Sequence, residues 1–458
     1  MKRAFRFDLN RCSGCHACIL ACANENRSVL SQNWRQLVTL NEFRHPGLPL
    51  VHLSLACNHC NEPACLINCP ANAYHRDPAS GAVVIDPDRC LGCAYCTWAC
   101  PFDAPKYNSE KGVIEKCDFC LERLQKGSEP ACVTCCPTGA LQLVERCIED
   151  IDPPRIPGFS RTKLKPAIEF VPLRENSSFP EVTAPQDPAA ISKALSRMII
   201  PPPRKISLHS EWALLIFTTL VTILVSLFTV GVWRSWQLNP LVFLAAGTGA
   251  MFFSLIHLGR KERAWRALCN WRTSWLSLEI LFYFLFMGSS GLFLLFLPNL
   301  PFWGWIGTAV GFCTLFAIDR IYQVAMKVGP GNFHSGQTMF NGLYLTGILA
   351  AAPLLYVPAG LLKLGLYLHR KILAYRKKSG IRPFFSLLRV IAGFIVPVLF
   401  ITVLRKKIFL PPLFAAIAVV SGDLIDRGEF YQDLEAMTPR QQMLNDFLQC
   451  MQSMEKEV

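Results

Sequence analysis

The sequence predicts two fold classes in one chain: a small α+β domain rich in cysteine, followed by an all-α bundle of membrane helices. Of the 21 cysteines among the 458 residues, 18 lie before residue 150. The second half is a series of long apolar segments, and the whole chain has 52% hydrophobic but only 17% charged residues. Soluble domains carry roughly 25% charged residues, so an ordinary soluble protein is not expected.

We expect four regions along the chain. The cysteine-rich domain covers residues 1–150, and a proline-rich segment follows at 151–208. That segment has no hydrophobic period, so two arrangements stay open: an extended linker, or a strap packed over the cysteine-rich domain. The membrane region is expected at 209–432, and a polar C-terminal tail at 433–458.

Seven apolar segments in the second half are each about as long as the roughly 20 residues that cross a bilayer as a helix. The fifth is long and contains Pro353 and Pro358, and the seventh is short, so we predict about seven to eight helices. Basic residues cluster in the breaks, as is typical of loops at a membrane surface. This explains the net charge of +13 better than nucleic-acid binding does. The segments are 211–233, 240–258, 275–297, 302–325, 340–368, 384–404 and 408–425.

Sixteen cysteines fall into four groups of repeated spacing. The first and third groups read C-x2-C-x2-C-x3-C, and the second and fourth replace the middle x2 with x4 and x11. Such spacing is typical of [4Fe–4S] ligation, in which the last cysteine of a group ligates the other cluster of a pair. A disulfide framework does not predict this repeat, and zinc ribbons use separate C-x2-C pairs. The sixteen are Cys12, Cys15, Cys18, Cys22, Cys57, Cys60, Cys65, Cys69, Cys90, Cys93, Cys96, Cys100, Cys117, Cys120, Cys132 and Cys136.

The exchange of last cysteines predicts which groups share clusters. Adjacent groups two and three are natural partners, which leaves group one with group four. Pro137 favours Cys136 over Cys135 as the last ligand, because proline suits the first turn of a helix. We therefore predict a ferredoxin-like domain with four cubane clusters that carry one electron at a time. The four sets are Cys12, Cys15, Cys18 and Cys136; Cys57, Cys60, Cys65 and Cys100; Cys90, Cys93, Cys96 and Cys69; and Cys117, Cys120, Cys132 and Cys22.

Motifs in both halves resemble subunits of dimethyl sulfoxide reductase and its relatives. The run from Cys57 to Pro70, C-N-H-C-x2-P-A-C-x3-C-P, resembles the iron–sulfur subunit. The stretches around His257, Glu279, Arg320 and Asp423 resemble the membrane anchor subunit. The resemblance implies a molybdopterin catalytic subunit as partner, and no molybdopterin-binding domain is recognisable in this chain. Two departures stand out: the two subunits are normally separate chains, and the anchor usually has eight helices, whereas seven apolar segments are counted here.

The resemblance implies that the membrane half oxidises menaquinol. In the anchor family the histidine of the matching His-Leu-Gly motif is implicated in this reaction, and the matching glutamate lies near it. His257 and Glu279 are therefore the candidates for binding the quinol and accepting its protons, and histidine suits this because it titrates near neutral pH. Further candidates for contact with the quinol head group, equally expected to pair with each other, are Arg263, Arg272, Arg320 and Asp423.

A membrane haem is not expected. A b-type haem needs two histidines on facing helices. Outside the cysteine-rich domain, only His257 is expected at helix depth among the four histidines, which are His209, His257, His334 and His369.

The expected function is electron transfer from menaquinol through four clusters to a catalytic subunit that reduces an S- or N-oxide, at the inner cell membrane. Reverse flow into the quinone pool stays open, because cluster potentials depend on hydrogen bonds and solvent access. A redox-sensing or ion-translocating protein is a further alternative. Ion translocation would need paired carboxylates in the apolar spans, whereas only isolated ones such as Glu279 and Asp319 are visible. The side of the membrane that the clusters occupy stays open too.

Overall fold

The chain folds into two compact units. The cysteine unit comprises Met1–Lys205 together with Ala436–Val458, and the helical unit comprises Ile206–Glu435. The second half of the chain is thus inserted between two segments of the cysteine unit. The structure is a computed structural model, and it describes residues 2–28, 32–42, 44, 49–146, 156–174, 205–325, 333–376, 383–401, 411–434 and 436–457.

The cysteine unit contains a three-stranded sheet. Strand β1 (Lys2–Asp8) lies in its centre, antiparallel to β8 (Leu141–Arg146) and parallel to β9 (Ile168–Val171). Phe5 and Phe7, two residues apart on β1, lie on one face and are buried in the core. Strand β9 comes from the proline-rich region, so the described part of that region packs on the cysteine-rich domain as a strap would.

Three antiparallel hairpins and five short helices hold the cysteine groups. Every one of the helices contains a cysteine of the four groups or directly follows one. The hairpins are β2 (Gln36–Leu40) with β3 (Val51–Leu55), β4 (Tyr74–Arg76) with β5 (Val83–Ile85), and β6 (Lys106–Asn108) with β7 (Val113–Glu115). The helices are α1 (Ala17–Asn26), α2 (Ala64–Ile67), α3 (Tyr95–Ala99), α4 (Leu121–Gln125) and α5 (Ala131–Thr134).

The segment predicted as a polar tail contains a helix, which returns to the cysteine unit. Met443 and Phe447 of this helix are buried in the same core as Leu53, at 3% and 5% exposure. The backbone N–H of Gly158 donates to the carboxylate of Asp446 at 2.8 Å. The helix, the last of the chain, spans Pro439–Glu457 and is labelled α15 below.

The helical unit contains eight helical segments within the residues that the structure describes. Two of the helices, α12 and α13, are parts of one segment joined by a π-helical turn at Ile391–Ile395. A 3-10 helix, Lys261–Leu268, follows the second segment. The helices are α6 (Trp212–Arg234), α7 (Pro240–Ile256), α8 (Trp275–Phe296), α9 (Pro301–Tyr322), α10 (Thr338–Leu349), α11 (Pro353–Arg376), α12 (Pro383–Val390), α13 (Val396–Leu399) and α14 (Pro411–Asp433).

Three of these helices, α6, α8 and α9, are long and apolar enough to cross a membrane. A fourth span results if α7 and the 3-10 helix, bent by 106°, are counted together. The fifth apolar segment of the sequence is two helices, α10 and α11. The helix is interrupted between them because Pro353, which suits a first helical turn, begins α11. Seven to eight crossings therefore stay a prediction.

Helix α14 packs very closely on the π-helical turn. A Cβ atom added to Gly422 would lie 2.7 Å from the Cα atom of Gly393. Glycine at both positions is what allows the two backbones to approach. The contact brings Arg389, at the end of α12, beside Asp423 of α14.

Candidate iron–sulfur and quinol sites

The four C-x2-C loops share one backbone feature. The residue before the second cysteine has a positive φ in each loop: 72° at Gly14, 42° at His59, 69° at Gly92 and 72° at Phe119. Glycine adopts this conformation readily, but histidine and phenylalanine do so only under strain, which is common at functional sites. One turn repeated four times indicates that the four groups build the same kind of site.

Two of the four predicted cysteine sets each line a cavity, of about 330 and 370 Å³. Cys136 lines the first cavity, whereas the neighbouring Cys135 is exposed. Within the described ranges, no three His, Cys, Asp or Glu side chains converge closely enough to hold a single metal ion. Cysteines around a cavity suit a bulky cluster better than zinc. The two sets are Cys12, Cys15, Cys18 and Cys136, and Cys57, Cys60, Cys65 and Cys100.

The other two predicted sets are also brought together. In each, the sulfurs lie close enough to act electrostatically on one another, and the last cysteine of one group reaches the partner group. Cysteines of the second and third groups meet in one set, and those of the first and fourth groups meet in the other. The sets are Cys69, Cys90, Cys93 and Cys96, and Cys22, Cys117, Cys120 and Cys132.

Interactions between sets indicate their order in space. We name each set after the first cysteine of its C-x2-C pair. The interactions that join one set to the next are Cys18 with Cys132, Cys117 with Cys57, and the buried Tyr74 with both Cys65 and Cys96. The order is therefore the Cys12 set, the Cys117 set, the Cys57 set and the Cys90 set.

Backbone amides donate hydrogen bonds to the cysteine sulfurs. The N–H of Gly92 lies 3.4 Å from Cys90 Sγ, and the N–H of Phe119 lies 3.4 Å from Cys117 Sγ. The second C-x2-C loop makes the same contact at 3.5 Å. Bonds of this kind favour a thiolate, and they tune the potential of a cluster that the thiolate holds.

Burial has the opposite effect, because it disfavours the thiolate form of the cysteines. It raises the pKa of Cys93 and of Cys22 to about 12. A thiol must lose its proton to ligate iron, so cluster insertion is coupled to proton release. These residues fit the group that their spacing predicts, because the positive charge of iron would offset the cost of burying thiolates.

His257 and Glu279 lie near the ends of neighbouring apolar helices. His257 directly follows α7, and its Nδ1 is buried without a hydrogen-bond partner among the described residues. Glu279 lies in the second turn of α8 at 6% exposure, where the guanidinium of Arg427 is the charge that acts on it. No hydrogen bond or ion pair joins His257 to Glu279 in the part of the chain that the structure describes.

Three of the predicted head-group contacts are arginines, and none of them is among the contacts of His257 and Glu279 described above. Arg320 lies 5.1 Å from the ring centre of Trp275. Arg272 is exposed and lies 5.4 Å from the ring centre of Trp271. Arg263 is half-buried in the 3-10 helix. The stacked geometry of the first two is typical of cation–π packing, and the part of all three in quinol binding stays a prediction.

Asp423, the fourth predicted contact, lies in a buried ionic network. It accepts hydrogen bonds from Lys363 at 2.6 Å and from Arg389 at 3.0 Å. Arg389 also donates to Asp426 at 3.1 Å. Lys363, Arg389 and Asp426 are all 0% exposed. Charges inside an apolar bundle are costly unless paired, and they commonly mark functional sites.

The network continues to the surface of the helical unit. Arg370 donates to Asp426 at 3.1 Å and to Glu429 at 2.7 Å. It also donates to Asp433 at 3.2 Å, whose side chain is 52% exposed. A series of charged groups thus connects the buried centre at Lys363 with solvent-exposed Asp433.

A cavity of about 300 Å³, lined by both polar and apolar side chains, lies beside this network. Its lining includes Thr218 and Thr222 of α6, Asn341 of α10, and Asp423 and Arg427 of α14. Arg427 is 2% exposed, and its Nε and Nη2 have no hydrogen-bond partner among the described residues. The lining thus offers hydrogen-bonding groups next to apolar ones.

Sequence reasoning missed most of the network. Lys363 carried a signal, since a single lysine inside an apolar run is unusual in a membrane segment. Asp426 and Arg427 stand beside Asp423 in the same motif but were not selected. Arg389 carried the same kind of signal, because it is the single charged residue in the apolar segment 384–404, but its ionic partners can be identified only from the fold.

Comparison with known proteins matches the cysteine unit. Residues 49–146 match the 4Fe-4S dicluster domain family. The chain is 40% identical over 146 residues to YnfG of Escherichia coli (strain K12), a probable anaerobic dimethyl sulfoxide reductase chain, which is 30% of this chain and 71% of that protein. It is 40% identical over 145 residues to another anaerobic dimethyl sulfoxide reductase chain of the same organism, which covers 30% and 70%. It is 41% identical over 155 residues to a tetrathionate reductase subunit of Salmonella typhimurium, which covers 33% and 59%.

These matches define the class of protein as an iron–sulfur electron-transfer subunit. The chain thus belongs to the family of iron–sulfur subunits that includes these chains of the anaerobic dimethyl sulfoxide reductases. The resemblance predicted from the cysteine motifs is thereby confirmed. The matches cover about a third of the chain, and the helical unit adds three to four helices that could span a membrane.

Proposed function

We propose that this chain is both the electron-transfer subunit and the membrane anchor of an anaerobic respiratory complex. Menaquinol is oxidised at the helical unit, and its two electrons pass singly through four [4Fe–4S] clusters held by the sixteen cysteines. A molybdopterin partner then reduces an S- or N-oxide. The observation that carries the proposal is the row of four cysteine sets in a chain that also contains apolar helices with buried ionisable groups.

The relatives support the choice of partner and acceptor. They are named as chains or subunits of dimethyl sulfoxide reductase and tetrathionate reductase. Those names place each relative in an enzyme that acts on an oxidised sulfur compound. We infer a catalytic partner of the same kind for this chain.

In this proposal His257 and Glu279 bind the quinol hydroxyls and accept protons. The buried imidazole of His257 and the buried carboxyl of Glu279 support the assignment, because buried ionisable groups in apolar helices commonly mark functional sites. Oxidation of one quinol releases two electrons and two protons. The protons leave through these side chains, while the clusters accept the electrons.

The test compares two electron donors on the assembled complex. His257→Ala and Glu279→Gln should lower oxide reduction at least tenfold with a quinol analogue, and leave it unchanged with a viologen that reduces the clusters directly. His209→Ala, a matched control outside the apolar spans, should change neither activity. Wild-type quinol activity in His257→Ala would remove the assigned role.

Electron flow in the reverse direction remains the alternative for the same sites. Direction follows the potentials of the clusters relative to the quinone pool. Redox titration of the four clusters in membranes decides between the two. Potentials that rise from the quinone to the partner favour quinol oxidation, and the opposite order favours quinone reduction.

The path of the chain supports an even number of membrane crossings. The chain leaves the cysteine unit after Lys205 and returns to it at Ala436. A polypeptide that starts and ends on one side of a bilayer crosses it an even number of times, which eight crossings satisfy and seven do not. We therefore propose eight crossings in a multi-pass inner-membrane protein. Reporter fusions in the loops between the segments would refute this if the first and last loops faced opposite sides of the membrane.

A second candidate function is ion translocation, favoured by the ionic network. The carboxylates of Asp423 and Asp426 are paired through Arg389, and Lys363 adds a group that can exchange a proton. Proteoliposomes with an internal pH indicator test it. Turnover-linked acidification or alkalinisation that Lys363→Met abolishes would support translocation. Identical signals in Lys363→Met and in the exposed control Lys261→Met would exclude it.

A further inference from the structure

Among the described residues of the cysteine unit, two buried cations have no carboxylate partner. Arg35 and Lys116 are each 2% exposed. Among the described residues, no Asp or Glu side chain forms an ion pair with either of them. A buried cation is costly unless an anion or a full set of hydrogen bonds compensates it. Both positions therefore need a counter-charge that this part of the protein does not supply.

Arg35 lies between the Cys12 and Cys117 sets. One of its terminal nitrogens, Nη1, donates to the hydroxyl of Ser54 at 3.1 Å, and its Cζ lies 4.9 Å from the ring centre of Phe5. Its Nε and Nη2 have no hydrogen-bond partner among the described residues. The sulfurs close enough to act electrostatically on the guanidinium belong to both sets, namely Cys132, Cys18, Cys117 and Cys22.

Lys116 lies between the Cys117 and Cys57 sets. Its Nζ donates to the carbonyls of Cys117, at 2.8 Å, and of Val83. Both partners are neutral oxygens, so they do not balance the charge. The sulfurs close enough to act electrostatically on the ammonium belong to the two flanking sets, namely Cys57, Cys65 and Cys117.

His59 adds a neutral donor at the same junction. Its Nδ1 accepts the backbone N–H of Val83 at 3.0 Å, so the proton of the neutral ring is on Nε2. Nε2 lies 3.8 Å from Cys117 Sγ, and the ring packs on Phe119 with centroids 4.6 Å apart. A side chain of the Cys57 loop thus donates toward a sulfur of the Cys117 set.

We propose that Arg35 and Lys116 are the counter-charges of the clusters, and that together they raise the reduction potential of the cluster in the Cys117 set. This inference rests on the proposed function only in that the sets hold clusters. A [4Fe–4S] core with four thiolates is anionic, and one-electron reduction adds a further negative charge. A fixed cation beside the cluster stabilises the reduced form more than the oxidised form.

The arrangement makes the four clusters unequal. The Cys117 set is flanked by Arg35 on one side and by Lys116 and His59 on the other. The Cys12 and Cys57 sets are each next to one of the two cations. Lys205 also acts on Cys100 of the Cys57 set, but it forms an ion pair with Asp103 at 2.9 Å. The Cys90 set is next to neither cation, and its nearest junction residue is the neutral Tyr74. Electrons should therefore remain longest on the second cluster of the row.

The test is a redox titration of the intact complex in membranes, with each cluster followed by electron paramagnetic resonance. Signals are assigned with single Cys→Ser ligand variants. Lys116→Met should lower the ratio of reduced to oxidised cluster at a fixed potential about tenfold for the Cys117 and Cys57 clusters, a shift of about 59 mV for a one-electron couple. Arg35→Gln should lower the ratio of reduced to oxidised cluster by a similar factor for the Cys117 and Cys12 clusters. The Cys90 cluster should not shift in either variant.

Two control variants remove the same charge at the surface of the unit. They are Lys126→Met and Arg89→Gln, whose side chains are 70% and 57% exposed. Neither should move any potential, because solvent screens an exposed charge. The conservative variants Lys116→Arg and Arg35→Lys should keep wild-type potentials, since they keep the cation.

Each outcome decides the inference. Wild-type potentials in Lys116→Met and Arg35→Gln, or equal shifts of all four clusters, would overturn it. If Lys116→Met loses iron, retention of iron in Lys116→Arg supports the counter-charge, whereas loss in both shows that side-chain shape is what matters and overturns it. Chemical reductants drive the titration, so the potentials can be measured even if the complex does not oxidise quinol. Absence of clusters in the wild type would instead refute the proposed function.

Discussion

The C-terminal helix α15 is expected to stabilise the cysteine unit, and Phe447→Ala tests this most sharply. Phe447 is 5% exposed and lies in the core that also contains side chains of β2, β3 and residues 156–170 of the proline-rich region. Replacing a buried phenylalanine with alanine costs about 3–5 kcal/mol, since it removes apolar contact and leaves a cavity. Domains are stable by about 5–15 kcal/mol, so the loss is a large fraction of the total.

The assay is loss of cluster absorbance on heating the purified complex without oxygen. For a domain of about 200 residues each kcal/mol corresponds to about 2–4 °C, so the midpoint should fall by about 6 to 20 °C. Leu448→Ala is the matched control, because the neighbouring side chain is 39% exposed and its loss should change little. Equal midpoints for Phe447→Ala, Leu448→Ala and the wild type would refute the role of the helix.

Three further predictions follow from close contacts and from the buried sulfurs. Gly14→Ala should lose one cluster by iron analysis, because its Cβ would lie 2.7 Å from the ring of His52. Gly127→Ala has nearly the same φ but open space, so it should keep all iron. Gly422→Ala should separate α14 from the π-helical turn and lower the yield of assembled complex in membranes, unlike Gly365→Ala, where space is open. Anaerobic removal of iron by a chelator should speed proteolysis of the cysteine unit, and unchanged cleavage rates would contradict the coupling of clusters to stability.

The cysteine sets could be predicted from the sequence because the spacing of the cysteines within each group is a local property. Three ligands of each predicted cubane belong to one group of spaced cysteines, so the C-x2-C loops could be recognised before any fold was known, and the fourth ligand was assigned from the exchange of last cysteines between groups. Cys136 was preferred over Cys135 from one adjacent proline, and the structure places Cys136 at the cavity. The assignment of these residues as ligands stays a prediction.

Long-range packing could not be read in the same way. The polarity of residues 433–458 predicted a tail, because a helix that buries only a few apolar side chains has a weak pattern. Lys116 and Arg35 were ordinary basic residues in the sequence, and only the fold buries them between cysteine sets. Pro353 marked the fifth apolar segment as unusual, but only the structure shows that this segment forms two helices, the second of which begins at Pro353.

The central claim is that one chain takes electrons from a quinol and delivers them to its own clusters. The direct measurement mixes the anaerobically purified, oxidised complex with a reduced menaquinol analogue and follows each cluster by electron paramagnetic resonance. We predict about sixteen irons per chain, for four [4Fe–4S] clusters, and reduction of the clusters by the quinol in the wild type but not in His257→Ala. Clusters that dithionite reduces and the quinol leaves oxidised would contradict the account.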